Sequence, residues 1–91
     1  MRTPTQVLPG LILERSRADT QSWWYTFRHE ASGEPLTHPA LSRLPTYKVA
    51  AWAQEHLASV NWSRPKEQLL ADPAARQAVG LISHRFPYDR R

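Results

Sequence analysis

Cysteine is absent from this 91-residue sequence. That excludes a disulfide framework, a thiolate metal site and a thiol nucleophile, and it fits a reducing compartment. Long apolar runs are absent too, since nothing approaches the ~20 residues needed to cross a bilayer. The first residues lack the basic-then-apolar layout of a signal peptide, so a cytoplasmic protein with no membrane association is expected. Glycine occurs singly, at Gly10, Gly33 and Gly80, which leaves no glycine-rich phosphate loop. Lysine is confined to Lys48 and Lys66, and every other basic side chain is arginine.

A chain of this length makes one domain, residues 1–91, with a modest core. Apolar content of 41%, charged content of 22% and four Trp point to a folded chain rather than a disordered one. The net charge is +4. Arginine is the better fork for phosphate and the better partner for flat rings. Its charges are scattered, however: Arg15 with Arg17, Arg64 with Lys66, and Arg85 with Arg90 and Arg91. Charge alone therefore leaves nucleic-acid binding open.

The stretch around which the chain is organised is Ser22-Trp23-Trp24-Tyr25-Thr26-Phe27-Arg28-His29. Aromatic and β-branched residues fit a pleated, half-buried surface, and no Gly or Pro interrupts them, so it reads as a β-strand. Side chains alternate along a strand. Trp23, Tyr25 and Phe27 share one face and want a core, while Trp24, Thr26 and Arg28 share the other. Two adjacent Trp cannot both point at the same helix. Either Trp24 and Arg28 form a stacking-plus-phosphate surface, or later helices cover that face and Trp24 is core.

The rest of the chain supplies an α+β fold: a small antiparallel sheet of two or three strands, an amphipathic helix packed on it, and one or two further helices. Residues 1–6 read as a loose arm and 7–38 as a β-meander. Pro9-Gly10 punctuates Val7–Arg15 as a turn or bulge before the strand Leu11–Arg15, the polar run Ser16–Gln21 makes a hairpin connection, and Ala31-Ser32-Gly33-Glu34-Pro35 makes a second turn. Leu36-Thr37-His38 is a short third strand before Pro39, and Pro39–Leu44 forms one helical turn. The main helix spans 46–60 with Thr46 as its N-cap, and Val49, Ala53, His56, Leu57 and Val60 fall on one stripe with Trp52 at its edge. Residues 64–84 hold the C-terminal helices. Ser63 caps the first and Asp72-Pro73 restarts the second, which Gly80 weakens by roughly 1 kcal/mol relative to Ala. Residues 85–91 form a tail with Phe86 and Tyr88 as pins.

Gly10 with the first strand, the strand Trp23–Arg28, Gly33, and then Thr46-Tyr47-Lys48-Val49-Ala50-Ala51-Trp52 together resemble the small N-terminal DNA-binding domains of phage-type tyrosine integrases. Those domains have three antiparallel strands and one helix, and are similar to plant AP2 domains. The resemblance covers about half of the chain and implies a sheet laid against the major groove, with Arg15, Arg17 and Arg28 as contacts. Glu14, Glu30 and Glu34 depart from the family's more basic strands, and the helices after Trp62 have no counterpart in it.

The candidate nucleic-acid-binding residues are Arg15, Arg17, Trp24, Arg28, Arg64 and Lys66. Arg64 and Lys66 flank a helix start beside Trp62, where backbone N–H groups favour an anion; the alternative is a solvated helix end with Trp62 buried. Arg85, Arg90 and Arg91 are either a solvated tail or a phosphate-contacting arm. His29, His38, His56 and His84 match no zinc spacing, and His56 reads as a packed histidine. Ser, His and Asp occur without a nucleophile elbow, and no paired carboxylates share a face, so neither enzymatic activity nor a cofactor is expected. Two functions remain. One is a small basic nucleic-acid-binding module. The other is a protein-interaction or regulatory module, phage or bacterial, using the same aromatic face on a protein partner or in a homodimer.

Overall fold

Period-two alternation in the N-terminal half builds a sheet, and period-3.6 patterning in the C-terminal half covers one side of it. The computed structural model describes residues 3–82 and 85–86. Strands β1 (Thr3–Leu8), β2 (Leu11–Arg17), β3 (Trp23–His29) and β4 (Ala40–Ser42) lie side by side in chain order, all antiparallel. Helices α1 (Thr46–His56), α2 (Lys66–Ala71) and α3 (Pro73–Gly80) follow. The α+β class stands, with four strands rather than two or three.

Two segments account for the difference. Residues 3–8 are not a loose arm but the edge strand β1, in which Pro4 is tolerated because an edge leaves half of the ladder unused. The third strand falls at 40–42 rather than 36–38, and no helical turn forms over 39–44. Residues 35–37 still hold the second half of β3: Pro35 bridges Arg28, the Leu36 N–H donates to the Phe27 carbonyl at 2.8 Å, and the Phe27 N–H donates to Thr37 Oγ1 at 3.2 Å. The chain then steps across Pro39 to pair Ala40–Ser42 with the first half of β3.

The core lies on the face of the sheet that carries Val7, Leu11, Leu13, Tyr25, Phe27 and Ala40. Onto it pack Val49, Trp52, Ala53 and Leu57 from the α1 region, then Trp62, Leu69, Ala75 and Ala78. The stripe read from the sequence is the buried one, except that His56 is exposed, its ring stacked on Trp52 with centroids 4.8 Å apart. Helix α1 ends at His56 rather than residue 60, and Pro45, not Thr46, occupies its N-cap. Pro65 likewise takes the cap of α2 in place of Ser63. Asp72 caps α3 as expected, its side chain accepting from the Ala74 N–H at 3.0 Å. Phe86 does act as a pin: its N–H donates to the Leu41 carbonyl at 2.9 Å, and its buried ring meets Trp52 edge-on at 4.8 Å. Tyr88, Arg90 and Arg91 lie outside the described residues, as does His84. Among the described residues no helix is long and apolar enough to cross a membrane.

Candidate nucleic-acid interface

Strand β3 sorts its side chains by parity. Tyr25, Phe27 and His29 are buried against the helices. Trp24 stands 38% exposed on the opposite face, with Thr26 and Arg28 half-buried beside it. The register extends that face across the sheet. Ser16 lies opposite Trp24 on one side and Leu41 on the other, and a parallel bridge from Leu41 adds exposed Arg85 to the row. Among the described residues none on this face is buried, so one side of the sheet is roofed and the other is open.

Trp23 points the other way, yet it does not sit in the middle of the core. It is half-buried at the margin, where β3 begins opposite Arg17 and Ser42. Arg15 and Arg17 share its face and carry their guanidinium carbons over its ring, at 5.4 Å and 6.0 Å from the centroid. Such contacts stabilise by about 0.5–1 kcal/mol at exposed sites. A ring contact uses none of the guanidinium N–H donors that would bind an anion in a carboxylate's place. Among the described residues neither arginine meets a carboxylate.

The other predicted cations are committed. Arg28 Nε donates to Glu14 Oε1 at 3.1 Å, and its Nη1 to the Gly33 carbonyl at 3.0 Å. Arg64 donates to Asp72 Oδ2 at 3.0 Å and to Gln68 Oε1 at 3.3 Å. Lys66 pairs with Glu34, whose carboxyl is held below its ordinary range chiefly by that hydrogen bond. Trp62, proposed as an aromatic neighbour for Arg64 and Lys66, is buried and donates its indole N–H to the Leu57 carbonyl at 2.7 Å. A phosphate at Arg28, Arg64 or Lys66 would compete with a carboxylate. Among the described residues, at Arg15 and Arg17 it would not.

The six candidates therefore divide. Trp24 and Arg28 share the open face, Arg15 and Arg17 the helix side of the same sheet, and Arg64 and Lys66 the lead-in to α2. Trp24, Arg15 and Arg17 still gather at one end of the sheet, around the hairpin of residues 18–22. Arg43 follows β4 at this end and acts on Asp19 across it. The Asp19 carboxyl is held below its usual range, first by the Gln21 N–H that donates to it at 2.8 Å, with Ser22 and Arg43 contributing. Trp23 as a guanidinium platform, Arg43, and the place of Arg85 next to Leu41 were not foreseen. The first had a signal: Arg15 and Arg17 alternate like Trp23 and Tyr25, and a five-residue hairpin over 18–22 sets Arg17 opposite Trp23.

The histidines do other work. His29 is buried, its Nδ1 accepting from the Ser32 N–H at 3.3 Å and contacting Ser32 Oγ at 2.8 Å. That leaves Nε2 as the donor to the Arg64 carbonyl at 2.8 Å, which ties β3 to the lead-in of α2. His38 is exposed. Comparison with family models, curated proteins and solved structures finds no match for the chain.

Proposed function

We propose that the chain is a small nucleic-acid-binding module that takes the phosphate backbone at the end of its sheet. The observation that carries this reading is the pair Arg15 and Arg17. They lie over Trp23 without a carboxylate partner among the described residues, back to back with exposed Trp24. Stacking on an indole restricts two long side chains before any ligand arrives, which lowers the entropy lost on binding. The net charge of +4 favours the encounter. The integrase-type resemblance would lay Arg15, Arg17 and Arg28 on one surface, whereas Arg28 stands across the sheet from the other two.

A titration of labelled oligonucleotides at two salt concentrations tests the reading. Binding should weaken steeply with salt. Arg15→Gln and Arg17→Gln should each weaken all sequences alike and reduce the salt slope by about 1. Arg64→Gln and Lys66→Gln should change it little, because those charges are paired. No binding to any probe, or an affinity indifferent to salt, would overturn the reading.

A second function is favoured by the row Trp24–Leu41, apolar side chains on an open face where Arg28 is paired with Glu14. Such a patch suits a protein partner or a second copy of the chain. It predicts a salt-insensitive complex in sedimentation experiments, lost in Trp24→Ala.

A further inference from the structure

Building on the nucleic-acid reading, we infer that the ligand is a single strand folded over the end of the sheet, with one base on Trp24 and neighbouring phosphates on Arg17 and Arg15. Three observations carry this. First, Trp24 and the two arginines project from opposite sides of a single sheet, because they sit at positions of opposite parity in the paired register. Duplex DNA is stiff over roughly 150 base pairs. Laid against either face of the sheet, it reaches the indole or the guanidiniums, not both. A single strand rotates freely about its backbone bonds and can pass around the hairpin of residues 18–22.

Second, the exposed indole offers a ring face, and only an unpaired base has a face free to stack on it. Trp24 pairs with Ser16 on β2 and Leu41 on β4 and stays 38% exposed between them. Third, Arg28, the cation that β3 contributes to the open face, is bound to Glu14 and the Gly33 carbonyl, which removes a contact a duplex lying there would need. On the other side, Arg15 and Arg17 are two residues apart on one strand, about 6.6 Å along it. Neighbouring phosphates of an unstacked strand are separated by a similar step.

The test uses the full chain and a mixed-sequence oligonucleotide of about 12 nucleotides, within the site sizes of single-strand binders. Its affinity is measured by fluorescence anisotropy, alone and annealed to its complement, at roughly 50 and 200 mM salt. The single strand should bind about tenfold or more tightly than the duplex. Trp24→Ala should weaken the single strand about tenfold and the duplex less than about twofold, while Trp24→Phe retains most of the affinity. Circular dichroism confirms that each variant is folded. A duplex bound as tightly as the single strand, or single-strand binding unchanged in Trp24→Ala, overturns this inference and leaves the broader function standing. Binding of neither probe overturns both.

Discussion

Replacing Gly10 by alanine would ask two things of the fold at once. The residue has φ of +85°, where an L side chain is strained by about 1–2 kcal/mol. A Cβ there would also stand 2.5 Å from the Trp62 carbonyl carbon and 2.6 Å from Ser63 N and the Trp62 oxygen. Those are main-chain atoms and cannot rotate aside, so the whole 61–65 segment must shift. Trp62 resists, because its indole is buried and bonded to the Leu57 carbonyl. Overpacking of this kind adds about 1–3 kcal/mol, for a total of about 2–5 kcal/mol. A domain of this length holds roughly 5–14 kcal/mol in all, so the loss is a substantial fraction of its stability. Gly33 is the internal control. Its φ is +73°, yet a Cβ there meets nothing within 4 Å. Gly33→Ala carries the strain alone, and the entropy lost from the unfolded chain is common to both variants. Urea unfolding followed by tryptophan fluorescence should therefore place Gly10→Ala about 1–3 kcal/mol below Gly33→Ala. Equal losses would refute the close approach of Trp62–Ser63 to the β1–β2 turn.

Phe86→Ala should cost about 3–5 kcal/mol in the same assay, as a buried ring on Trp52 is removed; a loss under about 1 kcal/mol would mean that residues 85–86 do not dock on β4. Glu34 titrates below its ordinary value of 4.5 because Lys66 hydrogen-bonds it. A carboxyl lowered in the folded state contributes stability above its unfolded pKa and loses it as pH falls through the folded one. Urea midpoints measured downward from neutral pH should thus fall below pH 4.5, and less so in Glu34→Gln. An identical pH slope in the two proteins would exclude a contribution from the pair. Gly80 ends α3 with open space around it, so Gly80→Ala should raise stability by up to about 1 kcal/mol in thermal melts; a loss would show that its surroundings are filled.

The parts of the fold that the sequence revealed are those where one pattern repeats. Strand β3 has seven residues without Gly or Pro, so parity alone separates Tyr25 and Phe27 from Trp24 and Thr26. Val49, Ala53, Leu57 and Val60 likewise find one side of a helical stripe. The edges were harder to read, for a physical reason. Edge strands use half of their hydrogen-bonding groups, so they tolerate Pro4 in β1 and can be as short as Ala40–Ser42. Local composition then resembles a loop, and only the partner strand decides otherwise. Helix ends were shifted for a related reason, since Pro45 and Pro65 take cap positions that Thr46 and Ser63 suited by chemistry.

Legibility of the candidate interface fails at a different level, that of long-range pairing. Composition marks every arginine as a candidate, because nothing local says which carboxylate each will meet. Glu14 reaches Arg28 from the neighbouring strand, Glu34 reaches Lys66 from a loop 32 residues away, and Asp72 both caps α3 and holds Arg64. Each acid is placed by tertiary structure, and each removes a cation from the recognition inventory. An exposed ion pair adds little to stability, commonly 0–1 kcal/mol, so its larger effect here is to decide which charges a phosphate finds unopposed. Trp23 acts in the opposite sense. It occupies a half-buried, core-facing position at the end of a strand, and the guanidiniums of Arg15 and Arg17 lie over its ring. Among the described residues those two arginines are left unneutralised, because an aromatic ring, not a carboxylate, is their neighbour. Charge survives at this end of the sheet through the same packing that completes the margin of the core.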